Sequence, residues 1–130
     1  MKILSIDDSK AVHAYLTDCF NETDHVLEHA YLGAEGIQMA KQLHNHPQGL
    51  DLILLDWEMP GMTGPEVFQA LRTDQINIPI IMLTSKNEVR DITDMLTKGA
   101  SEYIMKPFTP EILFEKIEAV TGILVKKNDT

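Results

Sequence analysis

The chain has 130 residues, 44% of them hydrophobic and 24% charged, and a formal net charge of −9. Such a length suits one domain around a single core. The acidity argues against nucleic acid or an anionic membrane as partner, because phosphate binding needs concentrated Lys and Arg.

The opening "MKILSIDD" reaches two acids after a very short apolar run, unlike a secretion signal. No stretch has the length of a membrane span. The single cysteine, Cys19, excludes an intrachain disulfide. Its place beside Leu16 and Phe20 in a helical pattern reads as core filler, not as a nucleophile. A soluble, cytoplasmic protein with no membrane insertion is expected.

Hydrophobic pattern and breakers divide the chain into five repeats of strand then helix. A strand over 3–6 leads to a helix over 9–20. A short strand over 25–30 leads to a helix over 34–43, which ends in the polar stretch "HNHPQG". The third strand, "DLILL", is nearly all apolar, as expected where both faces are covered. Thr63, Pro65 and Glu66 then form a helix-start signal: a cap, a proline in the first turn, and the second half of a capping box. The fourth strand is "IPIIML", with Pro79 tolerable near its beginning. A helix over 88–98 stops at Gly99. The fifth strand, "SEYIM", runs into "KPFTPE", where Thr109 and Pro110 start a last helix reaching residue 120. Residues 1–122 are expected to form the domain, with 123–130 a short tail, frayed over "KKNDT", and no output domain.

Alternation at this spacing predicts an α/β fold, a five-stranded parallel sheet with helices on both faces. Ligands of such folds bind at the carboxyl ends of the strands. The polar residues fall there: Asp7 and Asp8 after strand one, Asp56 after strand three, Thr84 and Ser85 after strand four, and Lys106 after strand five. Three carboxylates in one cleft repel one another and drive one another toward protonation. A hard divalent cation such as Mg²⁺, which takes oxygen ligands, removes that conflict. With a lysine and a hydroxyl beside them, these are the parts needed to move a phosphoryl group onto an aspartate. A lone Asp after a strand is ordinarily a turn or cap residue, and a lone Lys before Pro ordinarily an exposed one. The joint occurrence at four strand ends is what carries the reading.

"IDDS", "LLDWEMPGMTG", "IIMLTS" and "GASEYIMKPF" together resemble the receiver domain of two-component response regulators over essentially the whole chain, and the chemotaxis-type (CheY-like) regulator in particular. The resemblance implies a doubly wound (βα)5, flavodoxin-like fold of strand order 2-1-3-4-5. It also implies that Asp56 accepts a phosphoryl group from a partner histidine kinase. Asp7 or Asp8 and Asp56 would hold Mg²⁺, with Asp8 favoured as the direct ligand and the backbone carbonyl of Glu58 as a further one. Lys106 would bind the phosphoryl oxygens, Thr84 would swing in to hydrogen-bond them, and Tyr103 would change rotamer. That change would reshape the surface of helix four, strand five and helix five, where such domains meet their targets. The Lys106–Pro107 bond is expected to be cis.

The chain departs from the pattern at a few places. His13 stands where receivers often carry Arg, and is expected to be a solvated helix residue. Thr63 replaces a common Asp but can still cap. "HNH" at 44–46 lacks the ligand number of a structural zinc site. Glu58 and Lys86, two residues after Asp56 and Thr84, are candidates for tuning the phosphoryl lifetime by pairing across the site, against the bland reading of an exposed ion pair.

Two other classes compete. An aspartyl-phosphate phosphatase of the haloacid-dehalogenase type would need Asp-x-Asp where this chain has "DWE". A flavin module would need a Ser/Thr/Gly-rich phosphate loop where this chain has "DDS". Within the receiver reading, the downstream partner is either a flagellar motor switch protein or, in a phosphorelay, a histidine phosphotransfer protein.

Overall fold

Strands and helices alternate through the whole chain. A computed structural model describes residues 1–85 and 89–127, of Val89 the backbone only. The order is β1 (Lys2–Ile6), α1 (Lys10–Phe20), β2 (Val26–Ala30), α2 (Gly33–His44), β3 (Leu52–Asp56), α3 (Gly64–Thr73), β4 (Ile80–Thr84), α4 (Val89–Thr97), β5 (Glu102–Met105) and α5 (Pro110–Thr121). All strand pairs are parallel, in the order β2-β1-β3-β4-β5. The doubly wound arrangement is therefore present as expected.

Successive residues of a strand face opposite sides of the sheet, so each central strand feeds two cores. Leu4, Ile6, Ile53, Leu55, Ile80 and Met82 pack with Val67, Phe68 and Leu71 of α3, Ala40 of α2 and Met95 of α4. On the other side, Ile3, Leu52, Leu54, Ile81 and Leu83 meet Leu16, Cys19 and Phe20 of α1 and Leu113 and Ile117 of α5. This two-sided burial explains why β3 and β4 are fully buried and why their sequences are continuous apolar runs. Cys19 is core filler, 4% exposed, and burial pushes its thiol up.

The helix starts follow their local chemistry. Thr63 accepts from Glu66 N at 3.3 Å while Glu66 Oε1 accepts from Thr63 N at 3.1 Å, a complete capping box. Thr109 caps α5 by accepting from Ile112 N, and Pro110 stands in its first turn. Past α5, Gly122 turns the chain with φ +71°, and Val125 enters the α1–α5 side of the core, 5% exposed. In the segment after residue 122, Ile123 and Leu124 are exposed and Val125 is packed. Lys126 and Lys127 are exposed, and the rest of the expected frayed tail lies outside the described residues.

Most element ends fall within one residue of expectation, and β3 and β4 differ from it at both ends. β3 begins at Leu52 and runs on to Asp56, because Asp51 uses its carboxylate to accept from Lys2 N (2.7 Å) while Asp56 pairs with Leu83. β4 begins at Ile80, after Pro79, and includes Thr84. Both shifts carry a site residue into a strand end, where the backbone ladder holds it.

His13 is corrected outright. It is not solvated but 3% exposed, on the sheet-facing stripe with Leu16 and Phe20. Positions three and seven residues apart lie on one helix face, and that face is covered.

Candidate functional site

β1 and β3 are neighbours in the centre of the sheet, so the residues at their carboxyl ends converge. Asp7, Asp8 and Asp56 each bring a carboxylate oxygen into a group spanning no more than 4.8 Å; Asp7 and Asp56 are buried and Asp8 is exposed. Lys106 reaches this group from the end of β5. Its Nζ donates to Asp7 Oδ2 at 2.9 Å and to Asp56 Oδ1 at 2.8 Å.

Backbone bonds fix the frame. Trp57 N donates to Leu83 O at 3.0 Å, and Lys106 N donates to Thr84 O at 2.8 Å, tying the three strand ends together. Gly64 N donates to Trp57 O at 2.8 Å, so the loop after Asp56 folds back on the strand. Asp7 Oδ1 accepts from Ser9 N at 2.9 Å, and Ser9 in turn caps α1. The Lys106–Pro107 bond is cis. Thr84 is 1% exposed, on the neighbouring strand one residue past Leu83, the register partner of Asp56.

The electrostatics are unresolved by protein alone. Burial pushes Asp56 up to about 6; the Lys106 ammonium pulls it down, and the charge of Asp7 pushes it up again. Burial would lower Lys106, but its hydrogen bonds and charge contacts with Asp56 and Asp7 outweigh this and raise it. Among the described residues, the Lys106 ammonium pairs with two of the three acids, Asp7 and Asp56. The donor set consists of hard oxygens in one small volume, with a buried carboxylate held above its ordinary range by burial and a neighbouring acid. That is a fit for a hard dication such as Mg²⁺.

Glu58 is exposed in the loop just past β3, and Lys86 lies outside the described residues. Tyr103 is half-buried on β5; its ring packs on the α3–α4 side of the core, with Lys116 Nζ 5.6 Å from its centroid. The His44–His46 stretch joins no metal-holding group among the described residues.

Sequence reasoning missed two features. Tyr15 of α1 donates to Phe108 O at 2.7 Å, latching the loop that carries Lys106. His13 Nε2 meets Asp7 O at 2.7 Å, and His13 Nδ1 meets His29 Nδ1 at 2.6 Å. The spacing of His13, Leu16 and Phe20 was the signal available for the second. Nothing local signalled the first.

A doubly wound sheet with three acids and a bridging lysine at its carboxyl edge places the molecule among receiver domains. The chain belongs to the response regulator receiver domain family, which residues 3–118 match. It is a CheY-like member. The "Chemotaxis protein CheY homolog" of Campylobacter jejuni is 32% identical over 126 residues, covering 94% of this chain and 93% of that protein. Chemotaxis protein CheY4 of Vibrio cholerae superposes with a TM-score of 0.82 at 29% identity, covering 92% of this chain and 97% of that one. A CheX–CheY–BeF3–Mg²⁺ complex from Borrelia burgdorferi contains a chain that superposes with a TM-score of 0.81 at 26% identity, covering 92% and 88%. Among the described residues no helix is long and apolar enough to cross a membrane.

Proposed function

We propose that the protein is a phosphoacceptor signalling domain in which Asp56 takes a phosphoryl group from a phosphohistidine on a partner kinase. The observation that carries this is the convergence of Asp7, Asp8 and Asp56 within 4.8 Å, bridged by Lys106. Asp7, Asp8 and Asp56, with the backbone carbonyl of Glu58, would hold Mg²⁺, Asp8 most directly. The bound dication would supply positive charge to the anionic carboxylate and to the phosphoryl oxygens that must approach it.

The protein's own residues account for the rest. An Asp56 carboxylate oxygen attacks phosphorus; the P–O bond forms as the P–N bond breaks, and the imidazole nitrogen leaves and takes up a proton. Lys106 transfers from the acids to the incoming phosphoryl oxygens, and Thr84 donates its hydroxyl to another of them. The step is positioning and charge neutralisation, which is most of what phosphoryl transfer requires. Added charge and acceptor oxygens then bias a two-state element. Here that element is Thr84 with Tyr103, and the readout is the α4–β5–α5 surface. Names of relatives favour chemotaxis as the setting; the downstream partner in this reading is a motor switch protein or, in a phosphorelay, a histidine phosphotransfer protein.

Incubation with Mg²⁺ and acetyl phosphate, followed by intact mass, tests the reading. One phosphoryl adduct is expected in the native protein, absent without Mg²⁺ and absent in Asp56→Asn. A folded, Mg²⁺-loaded protein that gains no mass even on rapid quenching refutes it. The same samples test Glu58: its change to Asn is expected to shorten the life of the adduct, and an unchanged decay removes Glu58 from that role.

A further inference from the structure

His13 and His29 have no part in the chemistry just described, yet buried His13 meets half-buried His29 beside the acidic cluster. We infer that His13 is a positioning residue for that cluster: through a hydrogen-bond chain from Thr17 and His29 it fixes the Asp7–Asp8 peptide and thereby the direction of the Asp8 carboxylate. The inference rests on the proposed Mg²⁺-dependent role of these acids.

The direction of the chain follows from the partners. A carbonyl oxygen only accepts, so His13 Nε2 must carry the proton in its 2.7 Å bond to Asp7 O. A neutral His13 then has a bare Nδ1, and the 2.6 Å contact with His29 Nδ1 requires the proton to sit on His29. Burial, and then the neighbouring His13, push His29 below its ordinary value, which keeps its ring neutral near pH 7. Its Nε2 is therefore an acceptor, 3.2 Å from Thr17 Oγ1. Thr17 has a second acceptor in His13 O at 2.9 Å, so its single proton is shared between two sites. From His29 onward donors run one way, from β2 through His13 on α1 to the end of β1. Tyr31 covers the His13 ring, centroids 4.3 Å apart, and His13 is 3% exposed.

What the chain holds matters for the site. Asp7 is bound through its N–H, which donates to Ala30 O at 3.1 Å, and through its carboxylate, which accepts from Ser9 N and Lys106 Nζ. His13 takes the carbonyl. Because the peptide unit is planar, holding that oxygen also sets the N–H and Cα of Asp8. Asp8 is the exposed acid of the three. Burial does not place it; its side chain meets Asp56, and the backbone that carries it sets whether that contact can form. Loss of the His13 donor would let the Asp7–Asp8 peptide rotate and swing the Asp8 carboxylate off the cluster.

The experiment has two arms on the full chain. Nitrogen-15 NMR of the metal-free native protein reads the tautomers: His13 is expected to carry its proton on Nε2 and His29 on Nδ1, the less common form in solution. The opposite tautomer at His29 overturns the chain. The second arm titrates Mg²⁺ against Trp57 fluorescence in native protein, His13→Leu and His13→Gln, with thermal unfolding confirming that each is folded. His13→Leu keeps the volume without a donor and is expected to weaken Mg²⁺ about tenfold, the lower end for loss of a group that orients a ligand. His13→Gln places an amide N–H near the position of Nε2 and is expected to restore affinity to within about twofold of native; a purely structural histidine would show no such rescue. Native-like affinity in folded His13→Leu, or equal loss in both variants, overturns the inference while leaving the site intact. A native protein with no Mg²⁺ response overturns the functional reading itself.

Discussion

Lys106 Nζ lies 2.8 Å from Asp56 Oδ1, a contact between residues fifty apart in sequence. In the metal-free molecule this ammonium is the principal brake on the upward push that burial exerts on Asp56. Replacement by methionine, Lys106→Met, keeps the stem and removes the charge. Asp56 is then expected to titrate above its native value of about 6, read by carbon-13 NMR of the carboxyl. A downward movement would mean that Lys106 does not hold Asp56 in solution.

The raised Asp56 also makes a prediction about stability. An unfolded Asp ionises near its ordinary value of 3.8, while the folded one holds its proton to about 6. Between those values the folded state binds more protons, so this group's contribution to stability falls as pH rises. Above about pH 6 the loss is complete. His25 and His29, both lowered by burial, work in the opposite direction nearby. The comparison that isolates Asp56 is therefore Asp56→Asn against native in urea unfolding without divalent metal. The advantage of the Asn variant is expected to grow from pH 4 to pH 6 and then level off. A constant difference across that range would contradict the assignment. Adding Mg²⁺ is expected to stabilise the native protein by mass action and narrow the gap.

Gly64 marks where the loop after β3 returns to the strand. A methyl group there would run into the Asp56 carbonyl oxygen and stand 2.9 Å from Trp57 Cα, both backbone atoms, and 3.0 Å from Met82 Cε. Backbone cannot yield as a side-chain tip can. Gly64→Ala is expected to cost at least the roughly 1–3 kcal/mol typical of overpacking, measured by denaturant unfolding. It should also blunt the Trp57 response to Mg²⁺, because Asp56 and Trp57 are the groups displaced. A variant of native stability would show that the loop has room to shift.

Ser5 behaves differently. Its hydroxyl is fully buried in β1, paired in register with His29, and finds no hydrogen-bond partner among the described residues. An unsatisfied buried hydroxyl costs roughly 1–3 kcal/mol, so Ser5→Ala is expected to be neutral or stabilising. A loss above about 1 kcal/mol would reveal a partner for that hydroxyl in solution.

Much of this molecule could be read along the chain. The capping box at Thr63 and Glu66, the prolines at the starts of α3 and α5, and the two-sided apolar runs of β3 and β4 are local signals, and the structure uses each as written. The acids at the ends of β1 and β3 were legible as site candidates because parallel strands must bring their carboxyl ends to one edge. His13 was misjudged although its spacing from Leu16 and Phe20 put it on the buried stripe. A histidine can be satisfied inside a protein only if partners await it, and those partners are His29 on β2 and the carbonyl of Asp7.

That division has a physical basis. Helix periods, caps and apolar runs depend on residues within a few positions of one another, so the order of residues determines them directly, and with them the elements and the polar strand ends. Which side chains then meet depends on which strand lies beside which. Only the tertiary structure, with β1 between β2 and β3, decided that Lys106 bridges Asp7 and Asp56 and that His13 turns inward to hold the backbone of the acidic pair.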